Sequence, residues 1–231
     1  MTHKDILTKF MIEYDKANVT SSYPSLTPYE VATILDKAYL ALIARKLTGN
    51  NIRRAGFEYD TKAVEDLRPL IVTNELIPNN EAVYADNEYT FSLPTINGQQ
   101  LLYYLEGQVK YKPIQKAADE KMHINEVVSL INHRLAQRFR GTSTNIPWIS
   151  NPVSFVENDN IHVLIDSYKH NSIERFSATY IKKPIMFTAT MFNDTPFELS
   201  DTMAEELISL AVTFALENVE STRLQSKTST L

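Results

Sequence analysis

The densest run of functional groups in the chain is His133-Arg134-Leu135-Ala136-Gln137-Arg138-Phe139-Arg140. Arg134, Arg138 and Arg140 could line a channel and touch passing phosphates, since cations on a surface attract a nucleic-acid backbone without reading its sequence. The plainer reading is a charged helix end, where cations complement the negative pole of the helix dipole. The other chemistry-bearing residues form no recognisable set. His3, His123, His133, His162 and His170 share no metal-ligand spacing, with neither an H-E-x-x-H nor an H-x-H. There is no cysteine and no G-x-S-x-G, so the common nucleophile patterns are missing. Glu205-Glu206 and Asp119-Glu120 are sequence neighbours on polar stretches, better explained as solvated helix faces than as acid and base. Glycine is too scarce, at five residues, for a phosphate cradle, and no G-x-G-x-x-G or G-x-x-x-x-G-K occurs. The expectation is a protein that is not an enzyme and needs neither metal nor cofactor. Trp148, alone of its kind in a Pro-flanked loop, is either an interface anchor or a plug for the local core.

These groups must be held by elements the pattern reveals in part. Ile6, Leu7, Phe10, Met11 and Tyr14 recur at helical spacing over 3–18. Thr27-Pro28-Tyr29-Glu30 combines a capping box with proline at the first helical position, and Gly49 stops that helix near Thr48. A short helix is expected over 60–68, ended by Pro69, and then a short strand at 70–72. Strands are expected over 83–93, 100–112 and 176–181, with a turn at Pro78-Asn79-Asn80 and a hairpin at 153–165 around Glu157-Asn160. Residues 124–139 read as a helix carrying the basic run at its end, on the strength of Ile124, Val127, Val128, Leu130, Ile131 and Leu135. Helices at both ends, packed together, with a mixed and mainly antiparallel β region between them make an α+β fold. The pattern fits one domain over 1–231, with 70–115 a candidate β-rich insertion and 221–231 a polar, flexible tail.

The C-terminal stretch carries the most information. A strand ends at Tyr180-Ile181, Lys182-Lys183-Pro184 stops it, and Ser200, Asp201 or Thr202 caps a helix running to about Val219. Met203, Leu207, Leu210, Ala211 and Phe214 make one stripe, while Ile208, Val212, Ala215, Leu216 and Val219 cover much of the remainder. A helix apolar nearly all round must be covered nearly all round. It is either the central helix of a monomeric core or a helix whose second side meets another chain. The interface candidates are Trp148, Ile208, Val212, Phe214, Val219, Arg223 and Leu224.

With 231 residues, 43% of them hydrophobic, the chain can bury a sizeable core. A net charge of −5 excludes binding to nucleic acid or a membrane surface by bulk charge. No apolar run approaches the ~20 residues that span a bilayer, and MTHKDILTKF is not a secretory leader.

Tyr180, Lys182, Lys183, Pro184, Glu198, Leu199, Ala211, Ala215, Leu216 and Glu217 follow a pattern: a strand ending Y-[IL]-K-K-P, a Glu-Leu-Ser turn, then an acid-started helix with A-x-x-x-A-L-E. This resembles the C-terminal part of head-to-tail connector proteins of tailed phages, with the nearest likeness to ring (adaptor) proteins of crAss-like podoviruses. The likeness covers 161–220 well, 124–160 loosely and the rest by layout alone. It implies a structural virion protein: a homo-oligomeric ring, twelve copies in the podoviral adaptors, stacked on a portal protein and followed by further tail-ring or tail-tube proteins. DNA would be only passing cargo, and the ring would assemble in the bacterial cytoplasm. A host-surface or glycan-binding tail module is the alternative, allowed by 12 Tyr and 10 Phe.

Overall fold

A computed structural model describes residues 1–17, 26–48, 61–77, 88–92, 101–111, 125–140, 147–148, 150–158, 160–165, 173–190 and 193–228. The expected turn at 78–80 lies outside them. The chain forms an α+β fold: six α-helices toward its two ends and one seven-stranded mixed sheet from the middle. It divides into two compact units, a helical one (Met1–Leu70 with Pro184–Leu231) and a β one (Ile71–Lys183).

The helical unit is built from α1 (His3–Ala17), α2 (Pro28–Leu47), α3 (Thr61–Leu67), α5 (Phe187–Thr190) and α6 (Asp201–Thr228). Its helices start where side chains can satisfy the first free amides. Thr27 Oγ1 accepts the Glu30 N–H while Glu30 Oε2 accepts the Thr27 N–H (3.3 and 2.7 Å), the complete capping box that the sequence predicts. Thr2 and Asp5 make the same exchange at α1 (3.2 and 2.9 Å). Ser200, among the three candidates, caps α6, its hydroxyl accepting from Met203 N–H (3.3 Å). Asp36 of α2 caps α5 across the unit, accepting from the Phe187 and Thr188 amides (2.6 and 3.2 Å) and from the Thr188 hydroxyl. Around these pack Ile6, Phe10, Leu35, Tyr39, Ile43, Phe187, Met203, Leu207 and Ile208, all fully buried. Full burial of such a side chain contributes about 1.5–3 kcal/mol. Lys46 ties α2 to α3 and α6 through Asp66 (2.8 Å) and Glu206 (3.1 Å).

The β unit holds β1 (Ile71–Leu76), β2 (Glu88–Ser92), β3 (Leu101–Tyr111), β4 (Asn125–Leu130), α4 (His133–Arg140), β5 (Val153–Glu157), β6 (Asn160–Leu164) and β7 (Ile173–Lys182). The strand order is β1-β7-β3-β4-β5-β6-β2, antiparallel throughout except for the β4–β5 pair. The sheet curls on itself, so that Phe91 on the terminal strand β2 stacks on Phe176 of β7 at 4.7 Å. Inside the curl lie Tyr89, Phe91, Val109, Tyr111, Val128, Ile161, Val163, Phe176, Ala178 and Tyr180. Gly107 is required there: a Cβ would come within 2.5 Å of the Phe176 ring and closer still to the Tyr104 hydroxyl. On the outside, Ala136, Phe139 and Ile131 cover Val153, Phe155 and Leu164.

The hairpin of β5 and β6 forms as the pattern predicts, and Asn158 takes a left-handed φ of 48° in its turn, a conformation asparagine tolerates better than most residues. The helix expected over 124–139 does not. Residues Asn125–Leu130 form a strand, and the helix begins only at His133. The β-branched pair Val127-Val128 favours the strand, with Val128 buried in the core and Val127 on the open face opposite Gln108 of β3. Asn132 sets the later start: its side-chain oxygen accepts the Leu135 N–H at 2.9 Å. At the other end, α6 continues to Thr228, beyond the Val219 where the apolar pattern stops.

Candidate assembly surfaces

α6 is 28 residues long, about 42 Å at ~1.5 Å per residue. Its first half is well covered. Met203, Ala204, Leu207, Ile208, Leu210, Ala211 and Ala215 are buried, against α1 and α2. Ile208, expected on an interface, is completely enclosed by its own unit and offers nothing to a neighbour. The inference that one unit could not cover so many apolar faces is therefore corrected for this half: two helices flank α6, and together they seal most of its circumference. Val212 and Phe214 are only half-buried, and the Lys37 ammonium sits 5.2 Å from the Phe214 ring centre, a cation–π contact at the rim. Glu217 and Asn218 are exposed. Val219, Arg223 and Leu224 lie on the continuing helix, and their side chains are outside the described residues.

The basic run behaves differently from residue to residue. Arg134 and Arg138 are exposed on α4. Arg140 is drawn into an ionic cluster on the outer face of β2, β5 and β6. Its Nε and Nη2 grip both oxygens of Glu88 (2.8 and 2.5 Å), and its Nη1 reaches Glu157 (3.1 Å). The guanidinium also lies 4.7 Å from the Phe155 ring centre, whose other neighbours are the stacked His162 and the edge-on His133. His162 Nδ1 shares Glu88 Oε1 at 2.5 Å. Burial alone would raise the Glu88 carboxyl, but hydrogen bonds and charge from Arg140 and His162 outweigh it and hold the group below its ordinary value. The same bonds keep Arg140 firmly protonated. This arginine is neutralised by two carboxylates and has little left for a phosphate. The sequence could not reveal that, because Glu88 lies 52 residues upstream.

Trp148 resolves to the exposed side of its two readings: 78% of its surface is open, and it plugs no core in its unit. Its carbonyl accepts the Asn151 N–H in the turn that leads into β5 (2.8 Å). Val127 and Leu130 of β4 and Leu135 of α4 are also open, so this part of the β unit carries apolar surface the sequence reading placed inside a helix. Among the described residues no group of three His, Asp or Glu side chains is set to hold a metal, and no helix is long and apolar enough to cross a membrane.

Comparison with known proteins finds no family model and no curated protein that matches this chain.

Proposed function

We propose that the chain is a structural ring protein of the head-to-tail connector of a tailed phage, working by geometry rather than by catalysis. The observation that carries this reading is α6. The helix continues 13 residues beyond Ala215, the last buried side chain described on it. A helix that outruns the helices packed against it is suited to reach a neighbouring subunit. The resemblance at β7 and α6 adds support: β7 ends at Lys182, Pro184 follows in a loop, and Ser200 opens the helix in the order that the connector pattern has. In this reading copies of the chain close head to tail into a ring, a heterologous contact repeated around an axis. The ring would sit between a portal and further tail proteins, with DNA passing through. Arg134 and Arg138 are the cations left to face it, and their contact would be weak and independent of sequence.

Native mass spectrometry and electron-microscope images of the purified chain test the proposal. A ring of about twelve copies, as the podoviral likeness implies, is the expected species. Deleting 221–231 should leave a folded chain that no longer closes the ring. A chain that stays monomeric at every concentration, or assembles equally well without 221–231, refutes the assembly role given to α6. The open face of Trp148 favours one other reading, a glycan-binding tail module, because an exposed indole stacks well on sugar rings. Specific, Trp148-dependent signals on a glycan array would select that module over the ring.

A further inference from the structure

We propose that residues 1–3 form an acid-released strap over the loop 195–197, with the His3 ring as its proton sensor. The strap is a short antiparallel contact. Thr2 bridges Pro196, the His3 N–H donates to the Thr195 carbonyl and the Phe197 N–H donates to the Met1 carbonyl, both at 2.9 Å. Beside it the Met1 ammonium meets Asp201 at 2.7 Å, at the first residue of α6. The strap therefore holds the segment from which the longest helix of the chain starts.

The His3 side chain anchors this contact in an aromatic recess. It is fully buried, stacked on Phe187 at 4.2 Å and flanked by Phe197 at 6.2 Å. Its hydrogen bonds fix its tautomer. The Thr190 hydroxyl donates its only proton to the Met186 carbonyl (3.1 Å), so toward His3 Nδ1 (2.6 Å) it can only accept. The ring proton is then on Nδ1, and Nε2 carries a lone pair. That Nε2 is buried with no partner. A second proton can enter only there, creating an imidazolium whose new N–H has no acceptor in an apolar recess, a costly arrangement.

Several ionisable groups face the recess: Lys4 and Asp5 from α1, Asp36 and Tyr39 from α2, Asp194 and Glu198 from the loop, and Asp201 from α6. Burial lowers the His3 pKa, and the charges of Glu198 and Asp36 oppose without cancelling it. Burial likewise pushes the Tyr39 phenol up, so it stays neutral. The carboxylates already have work: Asp36 caps α5 and Glu198 accepts the Ile185 N–H at 2.7 Å. The sign follows. A histidine whose folded value lies below 6.5 stabilises the closed strap above pH 6.5, and that contribution is lost as pH falls from 6.5 through the folded value. Opening would uncover Phe187 and Phe197 and release Asp201 from Met1.

Hydrogen exchange on the full chain tests this, read at the His3 and Phe197 amides at about pH 7.5 and about pH 5.5, the window in which histidine titrates. After correction for intrinsic exchange, protection should fall on acidification by up to about tenfold per pH unit once His3 titrates. His3→Phe keeps the stacking and removes the proton, so its protection should not change with pH. Equal loss in His3→Phe would assign the effect to the carboxylates and overturn the proposal, as would unchanged protection in the natural chain. Should the variant not fold, the nitrogen shifts of His3 in the natural chain decide. The Nδ1–H tautomer, with titration below 6.5 that tracks the loss of protection, sustains the strap; an Nε2–H tautomer or ordinary titration refutes it.

Discussion

The helical unit and the β unit are stabilised by bonds of different range. In the helical unit the caps are local: Thr2 with Asp5, Thr27 with Glu30, Ser200 with Met203, each spanning three residues. Distance enters only when the two ends of the chain meet, as α1 and α2 close on α6 and Asp36 caps α5 from 151 residues away. In the β unit almost everything is distant. β1 pairs with β7 across about a hundred residues of chain, Phe91 stacks on Phe176, and Arg140 closes on Glu88. The first unit is thus a set of self-starting helices glued by apolar burial. The second is a set of strands none of which has a reason to exist without its partners. A change at one residue should accordingly act through burial in the helical unit and through partnership in the β unit.

The largest expected effect tests the burial side. Ile208→Asp puts a charge in the sealed interior of α6 and should cost more than about 4 kcal/mol, while Val212→Asp at a half-buried position of the same helix should cost about 0.5–3 kcal/mol. Urea unfolding of both variants measures the gap; equal losses would mean α6 has no distinct inner face. Next, Phe176→Ala empties the centre of the curled sheet and should cost about 3–5 kcal/mol, with the loss of exchange protection concentrated in β2, β3 and β7.

The ionic cluster sharpens the partnership side. Arg140→Ala leaves the mostly buried Glu88 with His162 alone and should cost about 1–3 kcal/mol at neutral pH. Glu88 is held below its ordinary 4.5 in the folded chain, so its pairing stabilises above pH 4.5 and is lost as pH falls through the folded value. The stability gap between Arg140→Ala and the natural chain should therefore narrow below pH 4.5, as read in urea melts across pH. A gap constant with pH would make Arg140 a packing residue on Phe155 instead. Smaller again, Thr27→Ala removes the cap of α2 and should cost about 1 kcal/mol, lowering the melting temperature by a few degrees. Smallest, Trp148→Ala should leave stability within about 0.5 kcal/mol, since its ring is open. Any effect of that change on ring closure or sugar binding would then be a direct one.

By itself the sequence determined the α+β class, the extents of α1 and α2, the hairpin of β5 and β6, and the stop of β7 before Pro184. All rest on groups within a few residues of one another: a capping box, a 3.6-residue apolar period, a turn of Glu, Asn and Asp, a proline that cannot donate to a ladder. What needed the tertiary structure was whatever depends on a partner elsewhere in the chain. Val127-Val128 fits either a helix face or a strand until β3 and β5 lie on either side of it, and only then is β4 fixed. Arg140 reads as a free cation until Glu88 and Glu157 approach, Trp148 is undecided until its ring is seen to be open, and Ile208 reads as a contact residue until α1 and α2 enclose α6. His3 had no local signal at all, since the recess that buries it is made by Phe187, Thr190 and Phe197, nearly two hundred residues away along the chain. Local hydrogen bonds and periodicity are written in neighbouring residues; burial and charge pairing are properties of the folded whole.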